Sequence, residues 1–173
     1  MGGDNLKKYI RNIANFPKKG IIFRDITTLL KEPSIFKKVI DIFYRRYRNK
    51  NIELVVAVEA RGFIFGSVLA YKLGAGFVPI RKRGKLPAKT VEVSYSLEYG
   101  EDTLCAHKDA VKKGQRVLIV DDLLATGGTV KAVTELMKKL NGNIVECAFL
   151  IELTALNGRE KLKKYPVFSL IKY

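Results

Sequence analysis

VLIVDDLLATGGTV, residues 117–130, sets an apolar, β-branched run, two adjacent aspartates and a glycine-rich turn end to end. The run RVLIV (116–120) is apolar at successive positions, the pattern of a strand covered on both faces. Such strands belong to α/β sheets, with helices on the two sides and ligands bound beyond the carboxyl ends of the strands. Asp121 and Asp122 are therefore expected where the strand ends, at the ligand-binding edge. Ala125-Thr126-Gly127-Gly128-Thr129 then turns into TVKAVTELMKKL (129–140), read as a helix. The first N–H groups of that helix and the positive end of its dipole favour a phosphate. A carboxylate beside a phosphate would repel it, so the aspartates should face something neutral or cationic, such as ribose hydroxyls or a magnesium-bound water. Ribose 5-phosphate on one motif satisfies both halves. A helix cap followed by exposed acids would explain Thr129 but not two acids and two glycines together. The motif is neither G-x-G-x-x-G nor G-x-x-x-x-G-K-[ST], so nothing points to a dinucleotide fold or a P-loop.

Outward from this stretch, LVVAV (54–58), GFVPI (76–80) and ECAFLIEL (146–153) are further apolar runs, with helical patterns between several of them. The alternation predicts βαβ units in a mostly parallel twisted sheet flanked by helices. In IFKKVIDIFYRRY (35–47), Ile35, Phe36, Val39, Ile40 and Phe43 share one helical face opposite Lys and Arg. Near the N-terminus Leu6, Ile10 and Ile13 recur at helical spacing before NFPKKG (15–20) breaks the pattern, so a short helix and an irregular loop are expected. Residues 82–110 lack this regularity except for alternation in VEVSYSLEY (91–99). A loop or hairpin of that length in a small domain is usually functional.

The chain of 173 residues, 47% hydrophobic, is expected to form one domain over 1–173. Its net charge of +15 draws anionic partners, whether nucleic acid, an acidic membrane or phosphorylated small molecules. No apolar run approaches the roughly 18 residues of a membrane span, and the N-terminus lacks the apolar core of a signal peptide. A soluble, cytoplasmic protein without membrane contact is expected. Met1-Gly2-Gly3 opens like an acylation signal, but Leu6 stands where Ser or Thr is needed. Cys105 and Cys147 form no C-x-x-C pair; they read as two small core residues in a reducing compartment.

Asp121-Asp122-Leu123-Leu124-Ala125-Thr126-Gly127-Gly128-Thr129 resembles the phosphoribosyl diphosphate (PRPP) motif of type I phosphoribosyltransferases. The chain as a whole resembles the adenine-specific branch of that family, through FPKKGIIFRDIT (16–27), EARGFIFG (59–66), IRKRGKLP (80–87) and SLEYG (96–100). The resemblance implies an α/β core with a small N-terminal hood over about residues 1–35 and a basic loop and flexible flap over about 82–110. It implies transfer of the 5-phosphoribosyl group from PRPP to adenine, a purine-salvage reaction giving AMP and pyrophosphate, with magnesium as cofactor and a homodimer as the assembly.

The same resemblance distributes roles. Ala125, Thr126, Gly127, Gly128 and Thr129 would hold the 5-phosphate, and Asp121 and Asp122 the ribose hydroxyls, with magnesium reached through PRPP and water and no direct protein ligand. Glu59, Ala60 and Arg61 would form the pyrophosphate loop, Arg61 also assisting catalysis; its guanidinium suits diphosphate because the charged fork is bidentate. In the basic run Arg81, Lys82, Arg83 and Lys85, pyrophosphate contacts are expected of Arg81, Lys82 and Lys85, Arg81 and Lys85 foremost. Ile22 and Leu123 would sandwich adenine, and backbone groups around Ile22 and Arg24 would read its edge. Phe23 is read as core, and Thr28 replaces a proline common in the family. Glu98 matches the family's acid/base, with Tyr99 beside it on the flap to exclude water. His107, the sole histidine, has no partner acid in the sequence and is read as structural. The charge alternatively suggests a nucleic-acid-binding regulator, but that needs an added domain, and the basic residues are scattered, so no specific nucleic acid is expected.

Overall fold

The chain starts with a 3-10 turn, Gly3–Tyr9, and an antiparallel hairpin of β1 (Arg11–Ala14) and β2 (Ile22–Asp25). The computed structural model describes residues 3–96 and 101–173, so Glu98 and Tyr99 lie outside the described residues. The expected helix therefore stops at Tyr9, and Ile13 sits in a strand. Pairing of Ile13 with Phe23 across the hairpin overrides the helical spacing, and the expected irregular loop, 15–20, is the hairpin's connection.

Two helices follow, the single turn α1 (Thr27–Leu30) and α2 (Pro33–Tyr47). Pro33 opens α2 because a missing N–H costs nothing in the first turn. Val39, Ile40, Phe43 and Tyr47 bury one face of α2, and Arg45 and Arg46 complement the dipole in its last turn. The remaining elements are β3 (Leu54–Val58), α3 (Arg61–Leu73), β4 (Gly76–Lys82), β5 (Thr90–Ser96), β6 (Glu101–His107), β7 (Arg116–Leu124), α4 (Gly128–Lys139), β8 (Asn143–Glu152) and β9 (Val167–Lys172).

Seven strands form one sheet in the order β5-β6-β4-β3-β7-β8-β9. From β4 to β9 neighbours run parallel, while β6 meets β4 and β5 antiparallel. Residues 82–110 thus contain a hairpin on the sheet's edge. Helix α3 packs with α2 on one face, in a core with Val55, Phe65, Leu118 and Val120. Helix α4 covers the other face, with Val56, Ile119, Val133 and Leu136 among the buried residues. Cys105 and Cys147 are buried free thiols, in agreement with the sequence reading. Among the described residues no helix is long and apolar enough to cross a membrane.

This topology fixes where a ligand can sit. The chain leaves β3 through α3 toward β4, and leaves β7 through α4 in the opposite direction toward β8. Between the carboxyl ends of β3 and β7 the two crossovers diverge and leave a crevice.

Candidate active site

The crevice is a cavity of about 390 Å³. Glu59, Ala60 and Arg61 reach its wall from the end of β3, and all of Asp121–Thr129 reach it from β7 and the turn into α4. Strand β7 does not stop at Val120 as the apolar run suggested; it continues through both aspartates to Leu124, because Asp121, Leu123 and Leu124 still pair with β8. The carboxylates are therefore strand-borne, and the strand's neighbours hold their positions.

Gly127 caps α4 with φ of +78°, a left-handed conformation that disfavours a side chain. Behind it the N–H groups of the first helical turn have no intrahelical acceptor, so the Ala125–Thr129 turn is a ready anion cradle. A different constraint acts at Gly62 in α3. A Cβ there would lie 2.8 Å from Asp121 Oδ1 and 3.3 Å from the Val120 carbonyl oxygen, so only glycine lets α3 begin this close to β7.

Arg61 Nε lies 2.8 Å from Asp122 Oδ2, and Asp122 is 5% exposed. Asp121 Oδ1 accepts the Asp122 N–H at 2.9 Å. Burial pushes the Asp121 carboxyl well above the usual carboxylate range, and the neighbouring Asp122 charge pushes the same way. Burial raises Asp122 as well, against the opposing pull of Arg61. Arg61 is thus the counter-charge that keeps Asp122 the more readily ionised of the two. The Arg61 guanidinium also lies 5.6 Å from the centre of the Phe23 ring, which links the hood hairpin to the cavity. Phe23 is half-buried and absent from both hydrophobic cores, which corrects its reading as a core residue. Hood residue Phe16 packs edge-on against it at 5.3 Å.

The basic run divides. Lys82 lines the cavity and pairs with Asp102 at 2.9 Å; Arg81 and Lys85 are not among the lining residues. Arg81 instead binds Glu59 Oε2 through Nη2 at 2.9 Å, and Glu59 Oε1 accepts the Lys82 N–H at 2.6 Å. Burial alone would raise Glu59, but these donors outweigh it and hold the carboxyl below its ordinary range. Glu59 is fully engaged in anchoring the start of the basic run. The Lys85 side chain is exposed.

Of the adenine residues, Leu123 lines the cavity, whereas Ile22 is 49% exposed on the hood and not on the wall. Arg24 donates to Asn12 Oδ1 at 2.5 Å and stacks over the Tyr173 ring at 3.9 Å. His107 donates from Nε2 to the Pro87 carbonyl at 2.7 Å, away from the cavity. Among the lining residues that the sequence reading did not single out are two with polar groups, Tyr95 and Asp102. They sit opposite each other in the β5–β6 register. The available signal was period two: Val91, Val93 and Tyr95 share the inward face of VEVSYS, as do Asp102, Leu104 and Ala106 across the hairpin.

Residues 25–172 match the phosphoribosyl transferase domain family. An adenine phosphoribosyltransferase of Koribacter versatilis is 61% identical over 170 residues, covering 98% of this chain and 93% of the relative. The crystal structure of adenine phosphoribosyltransferase from Thermoanaerobacter pseudethanolicus superposes with a TM-score of 0.95 at 53% identity, covering 99% of both chains. The Saccharomyces cerevisiae adenine phosphoribosyltransferase, solved with an imino-altritol bisphosphate and adenine, gives 0.92 at 42% identity over 97% of each chain.

Proposed function

Because the chain belongs to the phosphoribosyl transferase family, and within it to the adenine phosphoribosyltransferases, we propose that its crevice receives PRPP along the line from α4 to β3. The protein is a transferase of purine salvage that moves the 5-phosphoribosyl group of PRPP to adenine, giving AMP and pyrophosphate. One observation carries the assignment of parts: the phosphate cradle, the two aspartates and Arg61 converge on one cavity. The 5-phosphate sits on Ala125–Thr129, the ribose hydroxyls on Asp121 and Asp122, and the diphosphate beside Ala60, Arg61 and Lys82. Glu59 and Arg81 act by holding Lys82 in place. Lys85 reaches the diphosphate only if the exposed loop moves.

In the reaction N9 of adenine attacks the anomeric carbon as diphosphate leaves. Charge grows on the leaving oxygens, and preorganised cations stabilise it most effectively where water is excluded. Arg61 and Lys82 each already hold a carboxylate, Asp122 and Asp102. Diphosphate takes over Arg61, which frees Asp122 to accept hydrogen bonds from ribose. Glu98 on the flap takes the N9 proton, and Tyr99 and Tyr95 help to close the site against water. Leu123 and Ile22 stack on adenine, with the hood folding toward the cavity and the backbone near Arg24 reading the edge of the base.

Magnesium suits this donor set. Asp121 and Asp122 offer hard oxygens that would accept hydrogen bonds from the waters of magnesium carried on PRPP, and magnesium keeps waters and substrate phosphates as most of its ligands. When bound, it neutralises diphosphate charge.

A homodimer is supported by the outer face of α3, where Tyr71 is 89% and Val68 37% exposed on the helix that begins with Arg61. A partner covering that face would stand beside the cavity mouth. The free thiols favour a cytoplasmic, reducing setting, and the +15 charge serves anionic small molecules, not specific nucleic acid.

The test is a base panel. Purified protein with magnesium and PRPP should convert adenine to AMP and pyrophosphate; equal turnover of hypoxanthine or orotate, or none with adenine, overturns the specificity. Sedimentation should give twice the chain mass, and duplex DNA should bind weakly with steep loss in salt.

A further inference from the structure

We propose that Gly158, 29 residues beyond the end of the phosphate turn and on a different element, is a positioning residue that sets the turn's shape from behind. The proposal rests on reading Ala125–Thr129 as the 5-phosphate site. Gly158 is buried and is not among the residues that line the cavity, so it touches no ligand there. It opens the 3-10 turn Gly158–Leu162 that follows β8.

Its contact with the phosphate turn is backbone against backbone, and it is reciprocal. A Cβ on Gly158 would lie 2.2 Å from the Ala125 carbonyl oxygen and 3.1 Å from Gly127 N. A Cβ on Gly127 would lie 2.5 Å from the Gly158 carbonyl oxygen. None of these neighbours is the far end of a flexible side chain, so a methyl group could be admitted only by moving the turn that carries the phosphate donors.

The Gly158 side of the contact is equally unable to retreat. Arg159 grips Glu152 with two hydrogen bonds, Nε to Oε1 at 2.6 Å and Nη2 to Oε2 at 2.7 Å, and donates to the Val167 carbonyl at 3.0 Å. Glu152 is 4% exposed, and Leu162, at the end of the same turn, is 1% exposed in the core shared with α4. Leu153 N–H adds a bond to the Leu124 carbonyl at 2.9 Å, just before the phosphate turn. The β8 exit is therefore bolted to β9 on one side and pressed on the phosphate turn on the other. Anion recognition by backbone N–H groups depends on sub-ångström placement, which this second layer supplies.

The experiment compares ligands that use the cradle with one that does not, for the wild type and Gly158→Ala, by calorimetry with magnesium present. Affinity for AMP should fall at least 10-fold in Gly158→Ala and the KM for PRPP should rise with it. Pyrophosphate, held beside Arg61 and Lys82, should bind within twofold of wild type. A folded Gly158→Ala that keeps wild-type preference for AMP over adenosine overturns the proposal, and so does an equal loss of AMP and pyrophosphate, which would mean general loosening. Where Gly158→Ala does not melt cooperatively, Arg159→Lys decides: it keeps the glycine but slackens the bolt, and should weaken AMP about threefold with pyrophosphate unchanged. No selective loss in Arg159→Lys then counts against the role. A wild type that binds AMP and adenosine equally would instead sink the 5-phosphate assignment, and the proposal with it.

Discussion

The two halves of the cavity are built from different kinds of structure. The charged half stands on the parallel strands β3 and β7, whose residues Val55, Val56, Ala57, Leu118 and Val120 are 0% exposed. Apart from Leu123 on β7, the described residues proposed to meet the base or close the site, Ile22, Arg24 and Tyr95, stand on two antiparallel hairpins at the margins: β1–β2, a two-stranded sheet of its own, and β5–β6, the edge of the main sheet. The hood leaves Phe16 51% and Ile22 49% exposed. An isolated two-stranded hairpin is marginal without packing on something else. The difference follows from what each half must do. Cations and carboxylates brought out of water need partners fixed in advance, as Arg61 is by Asp122. A flat apolar base needs an opening to enter, and apolar walls that meet only once it is in. The proposed closure would then fall to the hairpins and the fixed charges to the sheet.

The sharpest test of this division is on the flap. Glu98→Gln removes the proton acceptor proposed above, a group that would matter only while the bond is being made, so turnover should fall about 10²–10⁴-fold with little change in PRPP affinity. Single-turnover transfer and direct PRPP binding, measured side by side with Asp122→Asn, separate the halves: the asparagine variant should lose PRPP affinity first. Wild-type transfer by Glu98→Gln would send the proton to water or to the departing diphosphate.

Arg61→Ala should come next, with kcat/KM for PRPP reduced roughly 10²–10³-fold, the scale of one lost donor to developing charge. It also strips the counter-charge from buried Asp122, so its melting temperature should drop, and adding Asp122→Asn should restore part of the stability but none of the activity. A double variant no more stable than Arg61→Ala would mean that the pair is not what holds the end of β7.

The same division explains what the sequence disclosed. The β7 side of the charged half is contiguous: strand, acids, glycine turn and helix follow one another in 116–139, so periodicity and turn chemistry brought the glycine turn and both aspartates to the cavity wall. Lys82 and its partner Asp102 come from 20 positions apart and meet only because β6 pairs with β4, a non-local antiparallel contact that no local pattern encodes. The hood misled for a similar reason. Leu6 and Ile10 do bury, at 2% and 5% exposed, but Ile13 is carried into β1 by its partner Phe23 on the far side of a turn. Strand β9 also went unread, its run VFSLIK carrying a serine, Ser169, that is buried within reach of Arg159.

A smaller effect is expected where the hood is proposed to meet adenine. Ile22→Ala should raise the KM for adenine by up to about 10-fold, the worth of an aliphatic face of roughly 1.4 kcal/mol, and leave PRPP binding as it is. Saturation curves for the two substrates would show this. An Ile22→Ala enzyme whose PRPP affinity fell instead would mean that the hood supports the sheet-borne half and that the two are not separable.

The smallest effect concerns what anchors the hood itself. Asp25, 7% exposed, accepts the Thr27 N–H at 2.9 Å and pairs with Arg11 across the β1–β2 hairpin at 2.5 Å. The Thr27 N–H, and after it Arg11, lower its carboxyl to about 2. A carboxylate lowered in the folded state stabilises above its unfolded pKa of about 3.9, and that stabilisation drains away as pH falls toward the folded value. Arg11 is 58% exposed, so water screens much of the pair, leaving a contribution on the order of 1 kcal/mol at neutral pH. Asn at this position can still accept from Thr27 but holds no charge for Arg11, which makes Asp25→Asn the right comparison. Urea unfolding of the two proteins should differ by about that amount at pH 6, with the gap closing between pH 4 and pH 2. A gap that persists unchanged at pH 2 would show that Asp25 acts through its shape and hydrogen bond alone, and that the hood, like the cradle, is held by backbone geometry instead of charge.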